Sequence, residues 1–234
     1  MNLKKMKYLF LLMMPVFMLT SCSEDDNSYD EYANWQVRNE QAFADTLAYA
    51  KQQGEANGWY VYRCWSLENQ TPNKDAQGNT LTLTYKDVDN IVVHVLDKGE
   101  GSGCPMYTDS VKVSYRGRLL PTTDQEGRVN AGYVFDTTFD GTYNKATAQL
   151  TKFAVGGLID GFVTALLKMH IGDHWMVYIP YQLGYGSSSS SSSIPAYSML
   201  RFEIALDSYY HAGEMVPDSR AAQHKDWQGA WITE

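Results

Sequence analysis

The stretch from Gly156 to Gly186 holds the residues whose types and spacing are best suited to chemistry. Phe162 belongs to an apolar face, and Tyr185 lies between two glycines, whose backbones adopt conformations that other residues rarely reach. Further aromatic residues occur in the strand-like stretches on either side. Together these side chains could floor and rim a shallow apolar pocket. The alternative is a core without a function, because aromatic side chains are mostly buried.

The Phe135-Asp136 pair is harder to reconcile with a simple core. A carboxylate directly after an apolar strand residue is costly in a core unless it is hydrogen-bonded or lies at an open edge. The pair therefore favours a site over mere packing.

Two histidines, His170 and His174, have the four-residue spacing of zinc ligands on a helix. Gly172 lies between them, where the helix should end. Spacing without a helix is poor evidence for a metal site, so we expect neither a metal nor another cofactor.

The site residues must be positioned by one helix and several strands. Ile159, Phe162, Val163, Leu166 and Met169 repeat at the spacing of one buried helical face, with Leu167 beside them, and Gly172 is expected to end that helix. Strands are predicted at 91–96, 111–115, 133–138, 174–179 and 199–206, with a long hairpin tip over 120–132. Several antiparallel strands with one late helix predict an α+β fold, a curved antiparallel sheet wrapped on a single short helix.

An N-terminal extension precedes this fold. An imperfect amphipathic stripe predicts a helix from about Tyr29 to Gln53, and the aromatic run 59–65 predicts a strand. After a polar turn, Leu81 to Tyr85 alternates as strands do. This part is too short for an independent domain, so we expect it to dock on the fold predicted C-terminal to it.

The first residues are expected to be a secretory signal. Three lysines precede an apolar run from Tyr8 to Met18, and Leu19-Thr20-Ser21-Cys22 resembles the lipobox of a bacterial lipoprotein, which would be lipidated on Cys22. An unlipidated signal is the alternative. The acidic stretch 23–26 resembles an export tag of Gram-negative lipoproteins, or is a solvated tether. We expect a lipid-anchored outer-membrane protein on the periplasmic or cell-surface face.

Composition restricts the partners. Removal of residues 1–21 takes away three lysines and no acids, so the net charge of −8 becomes −11. Such acidity argues against nucleic acid and anionic lipid surfaces. Cys64 and Cys104 could form a disulfide in an exported protein, but the sequence does not show whether they lie close enough.

Residues 111–206 resemble the FKBP-type peptidyl-prolyl cis-trans isomerases. The matching motifs, in the family's order, are Val-x-Val-x-Tyr-x-Gly at 111–117, Phe-Asp at 135–136, Phe-x-Val-Gly at 153–156, Leu-Ile-x-Gly-Phe at 158–162, Met-x-x-Gly-Asp at 169–173, Ile-Pro at 179–180, Leu-Gly-Tyr-Gly at 183–186, Ile-Pro at 194–195 and Leu-x-Phe at 200–202. Nine motifs in one order make a specific signal. Together with the predicted signal and extension, they divide the chain into a signal peptide (1–21), an acidic tether (22–30), the extension (31–88), an isomerase domain (89–209) and a tail (210–234).

The resemblance implies a proline pocket. Its catalytic residues would be Tyr115, Phe135, Asp136, Ile159, Phe162, Tyr185 and Phe202, and its substrate-binding residues Leu158 and Ile194. The aromatic residues would enclose the proline ring, while the Ile159 N–H and the Tyr185 hydroxyl would bind substrate carbonyls. Phe153 is expected to belong to the core.

The implied activity is isomerisation of X-Pro bonds in exported proteins, and macrolide immunosuppressants are implied as further ligands. Two departures bear on it: Phe162 stands where the family commonly has tryptophan, and residues 187–193 are seven serines in place of a mixed substrate-gripping loop. A non-catalytic chaperone or surface binding module on the same fold is the alternative function.

Overall fold

The computed structural model describes residues 29–188 and 193–211. The predicted signal peptide, Cys22, most of the acidic tether, four of the seven serines and nearly all of the tail lie outside the described residues. Glu31 onward belongs to one compact unit, and Met1–Asp30 to another, of which only residues 29 and 30 are described.

Seven antiparallel strands form one sheet. The strands are β1 (Trp59–Arg63), β2 (Asn90–Asp97), β3 (Ser110–Arg118), β4 (Val134–Thr137), β5 (Thr151–Ala154), β6 (His174–Ile179) and β7 (Leu200–Tyr210). Their order is β1-β2-β6-β7-β3-β4, and β5 also pairs with β3. Because β4 pairs with the end of β3 and β5 with its beginning, the two short strands share one edge of β3.

In the described part of the chain three α-helices accompany the sheet: α1 (Trp35–Gln53), the short α2 (Trp65–Glu68) and α3 (Asp160–Leu166). α3 packs on β1, β2 and β6. The predicted α+β class is confirmed, with an antiparallel sheet, one short helix and an N-terminal helix followed by a strand.

The two longer helices cover opposite faces of the sheet. Ile91, Val92 and Val93 on β2 are each 0% exposed, although successive residues of a strand point to opposite faces. Val92 packs in the cluster of Phe43 and Leu47 from α1, while its two neighbours pack in the cluster that contains α3. β2 is therefore buried on both sides, which explains its continuous apolar sequence.

Both helices are shorter than predicted. α1 begins at Trp35 rather than near Tyr29, after Asn34, which has a left-handed backbone with φ of 54°. α3 ends at Leu166 rather than at Gly172, and Gly172, with φ of 90°, belongs to a separate turn before β6. The apolar spacing continued past the helix because Met169 and Ile171, in the segment after it, are buried in the main core cluster.

The strand-like alternation of Leu81 to Tyr85 produces no strand. Leu81 is 48% exposed, and these residues pair with no strand in the described part of the chain. Alternation specifies a strand only where a partner strand and a core face are available. Residues 81–85 have neither in the described part of the chain.

The extension is attached to the rest of the fold by polar contacts as well as by packing. Asn39, 1% exposed in the second turn of α1, accepts the Met199 N–H at 2.8 Å and donates to the Trp35 carbonyl at 2.7 Å. The Trp35 indole N–H donates to the Ser198 hydroxyl at 2.8 Å. α1 thereby holds the segment that leads into β7.

Two further features concern the cysteines and the membrane. Cys64 and Cys104 are both free thiols, so they do not form the disulfide that the sequence allowed. Within residues 29–188 and 193–211, no helix is long and apolar enough to cross a membrane.

Candidate active site

A cavity of about 220 Å³ opens between α3 and one end of the sheet. Its lining residues are Tyr115, Phe135, Asp136, Phe153, Gly157, Leu158, Ile159, Phe162, Tyr185 and Phe202. Drug-sized ligands occupy cavities of roughly 300–1,000 Å³. The volume here suits one or two residues of a peptide.

Three rings from three elements make the floor of the cavity. Phe162 on α3 is 3% exposed and Phe202 on β7 is 4% exposed, and their centroids lie 5.1 Å apart at 82°. Tyr115 on β3 meets Phe162 edge-on at 6.2 Å. Such edge-to-face packing fixes the rings and leaves an apolar surface.

Phe135 on β4 forms a wall, and Gly117 makes room for it. Phe135 meets Phe202 edge-on, with 5.4 Å between centroids. A Cβ at Gly117 would lie 2.4 Å from two atoms of the Phe135 ring and 2.8 Å from Phe202 Cε1. Glycine is therefore required here for the close approach of two rings, and its own φ is not in the left-handed region.

Asp136 is the one carboxylate in the lining. The side chain is exposed, and the Tyr115 hydroxyl donates to its Oδ2 at 2.5 Å. Burial raises the pKa of Tyr115, and the bond to Asp136 raises it further, so the hydroxyl stays protonated and keeps donating. The carboxylate thus has both features that make such a residue tolerable beside a core: a hydrogen bond and an open edge.

Leu158 and Ile159 line the cavity just before α3. The turn Val155–Gly157 leads into them, and Ile159 is the N-cap of α3, with its carbonyl accepting the N–H groups of Phe162 and Val163. Backbone N–H groups at the start of a helix lack partners within the helix. The Ile159 N–H makes no hydrogen bond to any described residue.

Tyr185 is the most exposed aromatic residue of the lining, at 41%. It follows the turn Tyr181–Leu183 and precedes Gly186, whose φ of 77° reverses the chain and whose carbonyl accepts the Tyr197 N–H at 3.0 Å. Burial of part of the ring, followed by the negative charge of Asp136, raises the pKa of Tyr185. Its hydroxyl is a donor at neutral pH.

The cavity collects eight of the nine residues that the sequence indicated. Ile194 is not in the lining; it is 6% exposed and belongs to the main core cluster. Phe153 and Gly157 were missed. Phe153, expected in the core, lies 5.5 Å from the Tyr115 ring on the strand that pairs with the start of β3. No local pattern distinguishes it from a core residue, whereas Gly157 adjoins a motif residue.

The two histidines have separate surroundings. His170 Nδ1 lies 2.8 Å from the Gly103 carbonyl. His174 is 8% exposed and lies between two carboxylates, with Nδ1 3.1 Å from Asp97 Oδ2 and Nε2 3.0 Å from Glu203 Oε1. Across the described residues, no three histidine, cysteine or acidic side chains are placed to hold a metal ion.

Comparison with known proteins bears on this site. The sequence model of the family described as FKBP-type peptidyl-prolyl cis-trans isomerase matches residues 101–207. The chain is 36% identical over 112 residues to the FKBP-type 22 kDa peptidyl-prolyl cis-trans isomerase of Escherichia coli, which covers 48% of this chain and 46% of that protein. It is 32% identical over 151 residues to the outer membrane protein MIP of Legionella longbeachae, covering 62% and 58%. The chain thus spans about half the length of these relatives.

The chain is also similar to solved structures. A peptidyl-prolyl cis-trans isomerase from Pseudomonas syringae pv. tomato is 22% identical, with 73% of this chain and 92% of that chain covered and a TM-score of 0.43. FkpA from Escherichia coli is 22% identical, with 75% and 64% covered and a TM-score of 0.38.

Proposed function

Because residues 101–207 match the family described as FKBP-type peptidyl-prolyl cis-trans isomerase, we propose that this chain carries a domain of that family and catalyses the cis-trans isomerisation of X-Pro bonds in exported proteins. The observation that carries the proposal is the cavity of about 220 Å³ in which Phe135, Phe162 and Phe202 surround a space beside the Tyr115–Asp136 pair. We also propose that residues 1–21 form a signal peptide, 22–30 an acidic tether, 31–88 the extension, 89–209 the isomerase domain and 210–234 a tail.

The chemistry requires no nucleophile. Rotation about a peptide bond costs about 18–20 kcal/mol because resonance holds the bond planar, and prolyl bonds exchange over tens to hundreds of seconds. A twisted prolyl bond has lost that resonance and much of its dipole. An apolar cavity therefore binds the twisted form better than the planar one, which lowers the barrier.

Each polar group of the site has a role in this scheme. The Ile159 N–H and the Tyr185 hydroxyl bind substrate carbonyls on either side of the proline and hold the chain while the bond turns. Asp136, held by the Tyr115 hydroxyl at 2.5 Å, faces the carbonyl carbon as it twists. Leu158, which lines the cavity, packs a residue that flanks the proline. The same role is proposed for Ile194, although its side chain is 6% exposed and belongs to the main core cluster.

The test is prolyl exchange measured by NMR on the purified protein with a Leu-Pro peptide. We expect acceleration in the parent and its loss in a Phe135→Ala, Asp136→Ala double variant whose far-ultraviolet circular dichroism is unchanged. Asp140→Ala is the matched control, because Asp140 also follows a phenylalanine, in the loop just after β4, but does not line the cavity. No acceleration by a folded parent would leave the alternative, a non-catalytic chaperone or binding module.

We propose further that the protein is a lipoprotein attached to the outer membrane of a Gram-negative bacterium through Cys22, on its periplasmic or cell-surface face. Support comes from the residues around Cys22 and from the relative named outer membrane protein MIP. Cys22→Ser should move the protein from the membrane fraction to the soluble fraction of such a host. An unchanged distribution would exclude the anchor.

The same cavity is proposed to accept macrolide immunosuppressants, which would compete with X-Pro peptides. Addition of such a macrolide should abolish the exchange seen by NMR. Exchange that persists at saturating macrolide would exclude this ligand.

A further inference from the structure

We propose that the extension contributes a second contact surface for the client chain, next to the proline cavity, and that this surface binds an aromatic or large apolar side chain of the client. The proposal rests on the proposed isomerase function. Trp65, Met106 and Tyr107 form the surface, which we call the aromatic shelf.

The aromatic shelf is apolar and open. The rings of Trp65 and Tyr107 stack with 4.4 Å between centroids and 29° between planes. Tyr107 is 43% exposed and Met106 is 51% exposed. Single exposed apolar side chains are common on protein surfaces, but two that are adjacent in sequence and lie beside a cavity favour a binding surface.

The aromatic shelf is continuous with the proline cavity. The Tyr107 ring packs on Gly156 so closely that a Cβ there would lie 2.8 Å from Tyr107 Cζ, and the Tyr107 hydroxyl donates to the Gly156 carbonyl at 3.4 Å. Gly157, the next residue, lines the cavity. Adjacent Cα atoms are about 3.8 Å apart, so a single peptide unit separates the shelf from the cavity lining.

Hydrogen bonds to α3 hold Trp65 in place. Its backbone N–H donates to Thr164 Oγ1 at 3.1 Å, and its indole N–H donates to Asp160 Oδ1 at 3.2 Å. Asp160 and Thr164 lie on the helix that carries Phe162 to the cavity floor. The extension thus contacts α3. The same helix therefore positions both Trp65 and the Phe162 ring of the cavity floor.

A buried carboxylate fixes the other half of the shelf. Asp109 is 0% exposed, and its Oδ2 accepts the Met106 N–H at 2.8 Å while its N–H donates to the Met106 carbonyl at 3.0 Å. The turn that presents Met106 and Tyr107 is therefore ordered before a client arrives. Binding to an ordered surface avoids the entropy cost of arranging it.

The occupant follows from distance and chemistry. An extended peptide advances about 3.3–3.6 Å per residue, so a client side chain within about three residues of the proline reaches the shelf while the proline lies in the cavity. Flat stacked rings favour aromatic or large apolar partners, which gain dispersion and ring contacts. Residues 187–193 are all serines and carry no apolar or aromatic side chain, so the aromatic shelf is assigned the selectivity for residues next to the proline.

The experiment compares kcat/KM for Leu-Pro peptides that carry phenylalanine or alanine at each of the three positions on either side of the Leu-Pro unit. We expect one phenylalanine position to raise kcat/KM about three- to tenfold, the range for an aromatic pair. Tyr107→Ser should remove that ratio, whereas Tyr107→Phe, which keeps the ring, should retain it. Tyr49→Ser is the matched control, since Tyr49 is 49% exposed and also packs on a tryptophan, but on α1.

The outcomes separate the two proposals. A parent that isomerises these peptides with a phenylalanine preference unaffected by Tyr107→Ser, or with no preference, overturns the shelf and leaves the isomerase. A parent that isomerises none overturns the proposed function. In that case NMR titration still decides the shelf: phenylalanine peptides that bind more tightly than alanine peptides and shift the Tyr107 and Gly156 amides support it, and equal binding of both overturns it.

Discussion

The bond between Tyr115 and Asp136 is the shortest polar contact of the site, with 2.5 Å from the hydroxyl to Oδ2. Tyr115 is 7% exposed whereas Asp136 is exposed. The buried Tyr115 hydroxyl therefore sets the orientation of the exposed Asp136 carboxylate. A hydrogen bond to a charged group is worth about 1.5–3 kcal/mol, enough to keep the carboxylate in one position beside a substrate.

We expect Tyr115→Phe to lower kcat/KM for a Leu-Pro peptide about tenfold or more, because Asp136 is no longer held. Combined with Asp136→Asn, the loss should be no larger than that of the more damaging single variant, since the two groups act as one unit. Kinetics of the four proteins in a double-mutant cycle give the coupling. Losses that add independently would contradict this role.

At the scale of the secondary structure elements, the pairing of β3 with β4 decides where the cavity wall stands. The register shifts between Gly117 and Arg118, and the absence of a side chain at Gly117 allows Phe135 to lie over β3. A glycine in a strand often marks such a bulge or close approach. Gly117, the last residue of the Val-x-Val-x-Tyr-x-Gly motif, thus positions the cavity wall rather than acting on the substrate.

Gly117→Ala is expected to push the Phe135 ring away, because the new Cβ would lie 2.4 Å from it. The free energy of unfolding should fall by about 1–3 kcal/mol, the range for overpacking, and kcat/KM should fall more than stability alone explains. Urea denaturation and prolyl exchange measure the two effects.

A second change separates the clash from the catalytic loss. Adding Phe135→Leu to Gly117→Ala should recover the unfolding free energy by relieving the clash, but not the activity. Full recovery of both would show that Phe135 is not part of the site.

α1 packs on the sheet and belongs to the same fold; it is not a separate appendage. Phe43 and Leu47 pack against Val92 on the face opposite α3. Leu47→Ala should lower the free energy of unfolding by about 2–5 kcal/mol, since Leu47 is 2% exposed. Val37→Ala on the same helix, where Val37 is 66% exposed, should change it by no more than about 0.5 kcal/mol.

The measurement for Leu47→Ala is urea denaturation followed by two probes, far-ultraviolet circular dichroism and tryptophan fluorescence. A single transition that shifts equally by both probes is expected if α1 and the sheet unfold together. Two separate transitions would show that the extension folds on its own.

At the scale of the whole molecule, a polar network crosses the sheet on the face away from α3. His174 on β6 contacts Asp97 at the end of β2 and Glu203 on β7, and Glu203 Oε2 pairs with Arg116 Nη2 on β3 at 2.5 Å. The Tyr143 ring covers His174 at 4.4 Å. Four strands are thus linked by one set of charges.

The network makes stability depend on pH. Burial opposes the charged form of His174, but the bonds and charges of Glu203 and Asp97 outweigh it and raise the pKa of His174. Burial likewise opposes charge on Glu203, but its bonds to His174 and Arg116 outweigh this and lower its pKa. The histidine contribution is therefore full below its unfolded pKa of about 6.5 and is lost as pH rises through the folded value. The glutamate contribution is full above its usual pKa of about 4.3 and is lost as pH falls.

We expect the free energy of unfolding to be highest between about pH 4.5 and 6.5 as far as this network determines it, and to fall on the alkaline side. Urea denaturation across pH 4 to 9 measures this. In His174→Gln the alkaline fall should flatten, because the titrating group is gone. A parent whose stability rises steadily from pH 6 to 9 would contradict the assignment.

Local sequence patterns determined much of this protein. Apolar periodicity, together with aromatic and continuous apolar runs, located six of the seven strands and both major helices, because burial leaves a local pattern of residue types along the chain. The order of the motifs placed eight residues of the cavity lining in advance, from Tyr115 to Phe202. The strands and helices depend on residues that are close in sequence. The cavity lining depends on residue types that the chemistry of the site requires.

Only the tertiary structure decided the rest. Phe153 faces the cavity and Ile194 the core because of which strands are neighbours, and alternation specifies a face but not a partner. The same limit hid the position of α1 opposite α3, the solvent exposure of Leu81, and the contact of Trp65 with Tyr107 across 42 residues. These depend on packing between distant segments, for which a single chain read in order has no local signal.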